Sequence, residues 1–167
     1  MEKKIRILIV DDHDMFRDGV KLLLSSGSNA EVIAEARDGK EFLEVAEKFK
    51  NEVDLVLMDI SMPIMDGIEA SKIAHERYPH FKILALTMFG DEKYYYQMIQ
   101  SGIKGFVLKS SGISELSNAI NEVANGGNFF SNELLMKLVS NLSSKKINDE
   151  KVITTTQKNF RSAKCKF

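Results

Sequence analysis

Five polar side chains follow apolar segments of the chain, at places where they could act together. An acidic pair, Asp11 and Asp12, follows the first apolar segment, and a third carboxylate, Asp59, follows a later one. A hydroxyl and an ammonium, those of Thr87 and Lys109, follow two further segments. Each has an ordinary explanation when it is taken alone, because Asp caps helices, Thr is common in strands and Lys is usually a solvated charge. The combination is more informative than its members.

The charges of this group predict a cation and a phosphoryl group. Three carboxylates brought together repel one another unless a cation lies among them. A hard divalent ion such as Mg²⁺ takes carboxylate oxygens, keeps several waters and accepts phosphate oxygens. Such an ion and the ammonium of Lys109 would neutralise the three carboxylates. A carboxylate can also attack phosphorus and form an aspartyl phosphate, a reaction that needs mainly positioning and charge neutralisation.

The segments between these residues alternate between strand and helix patterns. The apolar runs predict strands at residues 5–10, 32–36, 55–58, 83–86 and 106–108. Apolar residues at helical spacing predict helices at residues 15–24, 39–49, 68–78, 92–100 and 113–124. Five strands that alternate with helices indicate an α/β fold with a parallel sheet covered on both faces. Right-handed crossovers then place all five polar residues at the carboxyl edge of that sheet.

The composition is that of one domain with an appendage. The 167 residues are 44% hydrophobic and 28% charged, which suits a chain that can bury a core. The only cysteine, Cys165, excludes an intramolecular disulfide framework and a cysteine-based zinc site. The apolar run at residues 7–10 is too short for a signal peptide or a membrane span. We therefore expect a reducing, cytoplasmic location.

The charges are distributed unevenly along the chain. Residues 141–167 contain seven Lys or Arg and two Asp or Glu, whereas residues 1–140 carry a net charge of −6. An acidic body of this kind is a poor candidate for binding nucleic acid. We predict a domain at residues 1–128, a linker helix at residues 129–143, and a disordered basic tail or truncated connector at residues 144–167.

The motifs together resemble the receiver domains of bacterial two-component response regulators, over residues 3–126. The resemblance is carried by Ile-Leu-Ile-Val-Asp11-Asp12, Leu-Met-Asp59-Ile-Ser-Met-Pro63-Ile-Met-Asp66-Gly67, Leu86-Thr87 and Gly105-Phe106-Val-Leu-Lys109. It implies a flavodoxin-like, doubly wound parallel sheet of five strands in the order 2-1-3-4-5. The serine at position 110, directly after Lys109, resembles the sequence found in the branch of this family that has LuxR-type helix-turn-helix outputs. No helix-turn-helix pattern follows, so DNA binding is not expected of this chain.

The same resemblance implies a role for each residue of the acidic group. Asp59 matches the residue that accepts a phosphoryl group from a phosphohistidine. Asp12 and Asp59 match direct Mg²⁺ ligands, and the backbone carbonyl of Ser61 matches the remaining protein ligand. Asp11 matches the carboxylate that orients metal-bound water. Mn²⁺ is expected to substitute for Mg²⁺.

The resemblance also implies a conformational switch and its partners. Thr87 matches the residue whose hydroxyl moves toward the phosphoryl group, and Lys109 matches the residue whose ammonium pairs with that group. Phe106 matches the aromatic residue that turns inward when the hydroxyl moves. The partners implied are a sensor histidine kinase or phosphotransfer protein and a second copy of the chain, with no membrane. Met15 is a candidate for kinase docking or for the core. The reactions expected are the chain's own phosphorylation and dephosphorylation, so it is not expected to be an enzyme on other substrates.

Other phosphate-handling proteins fit the sequence less well. A haloacid dehalogenase needs Asp-x-Asp after its first strand, whereas this chain has adjacent Asp11 and Asp12 followed by His13. Those acidic residues would repel the phosphate of a flavodoxin's FMN, and the P-loop motif is missing. The alternative that stays open is a degenerate receiver that acts as a phosphorylation-independent interaction module.

Overall fold

The computed structural model describes residues 3–27, 29–88, 94–137, 139–140 and 143. The chain divides into two compact units, Met1–Ser131 and Asn132–Phe167.

The described part of the first unit contains six strands and five helices. The strands are β1 (Ile5–Val10), β2 (Ala30–Ala36), β3 (Leu55–Asp59), β4 (Ile83–Thr87), β5 (Gly105–Leu108) and β6 (Phe129–Phe130). The helices are α1 (Asp14–Ser25), α2 (Gly39–Phe49), α3 (Gly67–Arg77), α4 (Tyr95–Gln100) and α5 (Ile113–Ala124). The predicted α2 and α5 are confirmed at both ends. The predicted start of α4 at residue 92 lies outside the described residues.

All strands pair in parallel in one sheet with the order β2-β1-β3-β4-β5-β6. The predicted parallel sheet is therefore confirmed, but the prediction of five strands was wrong. The sixth strand pairs Phe129 with Gly105 and Phe130 with Phe106. A side chain at position 105 would place its Cβ 2.1 Å from the carbonyl oxygen of Phe129, so this pairing requires glycine. Two residues are too few to show a strand period, and they were predicted as the start of the linker helix.

The central strands are buried on both faces, as their continuous apolar runs predict. In β1 the residues from Ile7 to Val10 are fully buried, and every residue of β3 and β4 is buried. The residues of α1 and α5 that face the sheet are Val20, Leu24, Leu116, Ala119, Ile120 and Val123. This packing holds the ends of the strands in place, and with them the polar residues that follow.

The loop between β3 and α3 is fixed at both of its ends. Asp66 caps α3 by accepting hydrogen bonds from the backbone N–H groups of Ile68 and Glu69. The next residue, Gly67, lies against β3, because a Cβ there would be 2.1 Å from the carbonyl oxygen of Asp59. The glycine therefore lets α3 start directly beside the end of the strand that carries Asp59.

The second unit is described in part. Residues 132–137 are helical, as are residues 139, 140 and 143. The predicted linker helix thus starts after β6 and not at residue 129. The predicted tail at 144–167 lies outside the described residues. Among the residues that are described, no helix has the length and apolar character needed to cross a lipid bilayer.

Candidate functional site

The carboxyl edge of the sheet brings the predicted site residues together. Asp11 follows β1, Asp59 and Thr87 are the last residues of β3 and β4, and Lys109 follows β5. Asp11, Asp59 and Thr87 are at most 2% exposed. Because neighbouring parallel strands are in register, their ends meet at this edge and their next side chains share one pocket. We call Asp11, Asp12, Asp59 and Lys109 the acidic pocket.

The ammonium of Lys109 lies between two carboxylates. Its Nζ is 2.7 Å from Oδ2 of Asp11 and 3.0 Å from Oδ2 of Asp59. The Lys109 side chain is only 9% exposed, and its Nζ also lies 4.8 Å from the centre of the Phe16 ring. Ionic pairs that are removed from water in this way interact more strongly than pairs at the surface.

Burial is the main influence on the pKa of Asp59. It raises the pKa of Asp59 to about 6, although the charge of Lys109 acts in the opposite direction and that of Asp11 adds to the rise. The other oxygen of Asp59, Oδ1, accepts a hydrogen bond of 3.3 Å from the backbone N–H of Ser61. Burial opposes the charge of Lys109 as well, but its two carboxylate partners outweigh this effect and raise the pKa of Lys109.

Four side chains of this edge could hold a metal ion. Asp11, Asp12, His13 and Asp59 each offer a ligand atom, and these atoms all lie within 4.8 Å of one another. After Lys109 is counted, the three carboxylates leave two negative charges without a cation, and the Asp12 side chain is 29% exposed, so the group is open to solvent. Carboxylate oxygens with surplus negative charge are the donors that a hard divalent cation prefers, so the residues present fit such an ion.

The sequence did not predict that His13 joins this group. Its Nδ1 lies 3.1 Å from Oδ1 of Asp11 and 3.0 Å from Oδ1 of Asp12, while the ring is largely exposed. Its place after the acidic pair was the only signal in the sequence. The carbonyl of Ser61 as a metal ligand stays a prediction.

An aromatic row lies next to the pocket. The hydroxyl of Thr87 is buried and has no hydrogen-bond partner among the residues that are described. Phe106 is fully buried and already faces inward, stacked on Tyr95 at 5.4 Å between ring centroids. On its other side it meets Phe130 edge-on at 4.8 Å. The predicted switch residue therefore contacts both α4 and β6.

One surface prediction can be compared with the structure. Met15 is 87% exposed, so it does not belong to the core.

Sequence reasoning missed Arg17. This residue of α1 is 5% exposed and donates a hydrogen bond to the backbone carbonyl of Asp11. Its position three residues before the buried Val20 was the available signal, because residues at that spacing share one face of a helix.

Comparison with known proteins identifies the family of the chain. The family model described as the response regulator receiver domain matches residues 7–121. The transcriptional regulatory protein DegU of Brevibacillus brevis is 38% identical over 138 residues, which cover 83% of this chain and 58% of DegU. The response regulator protein VraR of Staphylococcus aureus is 36% identical over 134 residues, covering 80% of this chain and 63% of VraR. The chain thus spans about three fifths of the length of these curated relatives.

Solved structures show the same fold. A LuxR-family response regulator from Aurantimonas superposes with a TM-score of 0.77 and 28% identity, covering 84% of this chain and 99% of that one. The receiver domain of the NarL response regulator from Mycobacterium tuberculosis superposes with a TM-score of 0.69 and 32% identity, covering 75% and 99%. The predicted resemblance to receivers of the LuxR branch is confirmed.

Proposed function

The chain belongs to the response regulator receiver family, and we propose that it is a phosphorylation-activated signalling switch in which Asp59 accepts the phosphoryl group. The observation that carries this proposal is the place of Asp59 in the acidic pocket. Its carboxylate is buried, lies 3.0 Å from the ammonium of Lys109, and is next to two further carboxylates. Burying these charges together destabilises the folded protein unless the site binds a cation, which in turn can bind an anionic group.

The proposed reaction transfers a phosphoryl group from a phosphohistidine of a partner. An oxygen of the Asp59 carboxylate attacks phosphorus, the O–P bond forms as the N–P bond breaks, and the electron pair of that bond returns to the imidazole nitrogen. Reversal of the signal is hydrolysis, in which water attacks phosphorus and the O–P bond to Asp59 breaks. These are the only reactions that we propose for the chain.

We propose Mg²⁺ as the ion of the acidic pocket, with Mn²⁺ as a substitute. Asp12 and Asp59 would hold it directly together with the carbonyl of Ser61, and Asp11 would orient a water bound to it. Bound there, the ion would offset the negative charge of the phosphoryl group. Lys109 is placed to pair with a phosphoryl oxygen, because its Nζ already contacts the acceptor carboxylate.

The proposed switch uses the hydroxyl of Thr87 and the ring of Phe106. The Thr87 hydroxyl is buried without a partner among the described residues, so a phosphoryl oxygen at Asp59 would offer it a hydrogen bond. Movement of Thr87 would change the space beside Phe106. Since Phe106 packs on Tyr95 and Phe130, that change would reach α4 and β6 and would alter the face formed by α4, β5 and α5.

The proposed partners are a sensor histidine kinase or phosphotransfer protein and a second copy of the chain. A groove of about 600 Å³ lies beside the acidic pocket and reaches Lys109. Its lining includes the apolar residues Met15, Leu23 and Met88, which supports docking of a protein partner in this groove. Control of transcription is proposed for relatives that are longer than this chain, such as the transcriptional regulatory protein DegU. A cytoplasmic location, indicated by the composition, is part of the proposal.

The experiment that tests this function is incubation with acetyl phosphate, with and without Mg²⁺, followed by intact-mass measurement. The switch predicts one added phosphoryl group that depends on Mg²⁺ and is lost in Asp59→Asn. The alternative of a phosphorylation-independent interaction module predicts no Mg²⁺-dependent incorporation. An Asp59→Asn variant that is labelled as well as the parent would show that the acceptor is wrongly assigned.

A further inference from the structure

We propose that Arg17 is a positioning residue for the divalent-cation site, which it supports by holding the backbone of the Asp11–Asp12 turn. The inference rests on the proposed function, because it takes the acidic pocket to bind Mg²⁺. Arg17 does not contact the pocket's carboxylates. It acts on the chain from which two of them project.

The guanidinium of Arg17 joins three separate elements. Its Nη1 donates a hydrogen bond of 2.6 Å to the carbonyl oxygen of Asp11, directly after β1. Its Nε donates to Oε2 of Glu35 in β2 at 2.9 Å, and its Nη2 pairs with Asp14 in the first turn of α1. The Arg17 side chain is 6% exposed, whereas its two carboxylate partners, Asp14 and Glu35, reach solvent. A fork with several donors can hold three acceptors at once, which a lysine ammonium on a flexible stem does less well.

The contact with Asp11 completes the restraint of that residue. The backbone N–H of Asp11 donates to the carbonyl of Ala36, its Oδ1 accepts from the N–H of His13 at 2.8 Å, and its Oδ2 meets Lys109. The carbonyl held by Arg17 is the one remaining polar group. That carbonyl shares a rigid peptide plane with the N–H of Asp12. Arg17 therefore fixes the orientation of the peptide from which the Asp12 side chain departs.

The charge of Arg17 cannot explain an attraction for cations. Two carboxylates, those of Asp14 and Glu35, already pair with it, and a positive charge near a cation site disfavours binding. If charge alone mattered, removal of Arg17 would leave Mg²⁺ affinity unchanged or raise it. Weaker binding after removal can therefore come only from the lost geometry.

The test is calorimetric titration of the folded, unphosphorylated protein with Mg²⁺, on the parent, R17M and R17K. Lys21→Met is the matched control, because Lys21 pairs with Glu35 at 2.7 Å but has no contact with the acidic turn. We expect the Kd for Mg²⁺ to rise about tenfold in R17M and R17K, the range found when the residues that orient metal ligands are changed. We expect K21M to bind Mg²⁺ like the parent.

A second readout separates positioning from general damage. The Mg²⁺ concentration that gives half the maximal rate of labelling by acetyl phosphate should rise in R17M and R17K by the same factor as the Kd. The rate at saturating Mg²⁺ should return close to the parent's. A structural role alone would lower the folded fraction and would leave the Kd of the folded protein unchanged.

Several outcomes would overturn the inference. It is wrong if R17M and R17K bind Mg²⁺ as tightly as the parent or more tightly, or if K21M loses as much affinity as they do. If R17M does not fold, the result for R17K decides the question, because lysine keeps the aliphatic side chain and a hydrogen-bond donor. If neither variant folds, the inference is wrong and Arg17 serves stability and not positioning. If the parent itself binds no Mg²⁺, the proposed function fails. If the parent binds and only the Arg17 effect is missing, the inference alone fails.

Discussion

The ammonium of Lys109 lies closer to Asp11 than to the proposed phosphoryl acceptor, at 2.7 Å from Asp11 and 3.0 Å from Asp59. One buried ammonium therefore pairs with two buried carboxylates and offsets the charge of only one of them. Lys109 can turn toward a phosphoryl oxygen on Asp59 without leaving Asp11 uncompensated, provided that a divalent ion offsets the charge of the Asp11 carboxylate.

Removal of Lys109 should strengthen Mg²⁺ binding while it abolishes switching. In Lys109→Met, the cation that competes for Asp11 and Asp59 is gone, so we expect the Kd for Mg²⁺ to fall by about tenfold, or ~1.4 kcal/mol. Calorimetry at about pH 8 keeps Asp59 ionised. The control is Lys104→Met, which removes an exposed lysine that precedes β5. Equal or weaker Mg²⁺ binding in Lys109→Met would contradict this balance.

The ionised carboxylate of Asp59 should lower the free energy of unfolding when no divalent ion is present. Because the folded protein raises the pKa of Asp59 to about 6, the folded state holds a proton on this group more tightly than the unfolded state does. The cost is therefore fully present above about pH 6 and disappears as the pH falls toward about 4, the usual range of an unfolded aspartate. Lys109 and Asp11 are the charged groups that face it.

In chelator at about pH 7.5, Asp59→Asn should therefore raise the free energy of unfolding by about 1–3 kcal/mol. Urea denaturation should show this gain shrinking as the pH is lowered. Glu44→Gln, at an exposed position of α2, is the control and should change stability by less than about 0.5 kcal/mol. An Asp59→Asn variant that is less stable than the parent at the higher pH would contradict the direction of the pKa shift.

Thr87 should matter for switching and little for the stability of the unphosphorylated protein. Its buried hydroxyl lacks a partner among the described residues, so Thr87→Val should leave the free energy of unfolding unchanged or raise it by up to about 1 kcal/mol. With Mg²⁺ and beryllofluoride, which mimics a phosphoryl group, the parent should show shifted NMR signals for the Phe106 ring. Thr87→Val should lose this shift and Thr87→Ser should keep it. A full response in Thr87→Val would remove Thr87 from the mechanism.

The sixth strand should depend on Gly105. A Cβ at this position would lie 2.1 Å from the carbonyl oxygen of Phe129, so Gly105→Ala should displace β6 at a cost of about 1–3 kcal/mol. Hydrogen exchange should then speed up at the amide of Phe129, which donates to Lys104, while the amide of Lys104, which donates to Ile83, stays protected. Gly112→Ala is the control, because no atom lies within 4 Å of a Cβ there. Unchanged protection of Phe129 would show that β6 tolerates the side chain.

The sequence predicted the site because its residues follow strands that are easy to recognise. Continuous apolar runs at β1, β3 and β4 can be satisfied only by a strand covered on both faces, and parallel pairing then brings the residues after them to one edge. Asp11, Asp59 and Thr87 could thus be placed together without knowledge of any contact.

The features that the sequence did not predict depend on contacts between distant segments. Phe129 and Phe130 form a strand only because Gly105 leaves room beside β5. Arg17 is buried because Glu35, eighteen residues away, supplies a counterion within β2. No periodic pattern shows that a charged residue has such partners, because burial of a charge depends on tertiary neighbours and not on its own segment.

The central claim is that Asp59, among several candidates within one pocket, carries the phosphoryl group, and peptide mapping tests it most directly. The chain is labelled with acetyl phosphate and Mg²⁺, reduced with borohydride so that an aspartyl phosphate becomes homoserine, digested and sequenced by mass spectrometry. We predict homoserine at position 59 and none at positions 11 and 12. Homoserine at position 11 or 12 in place of 59, phosphate on His13, or no modification at all in the presence of Mg²⁺ would contradict the proposed function.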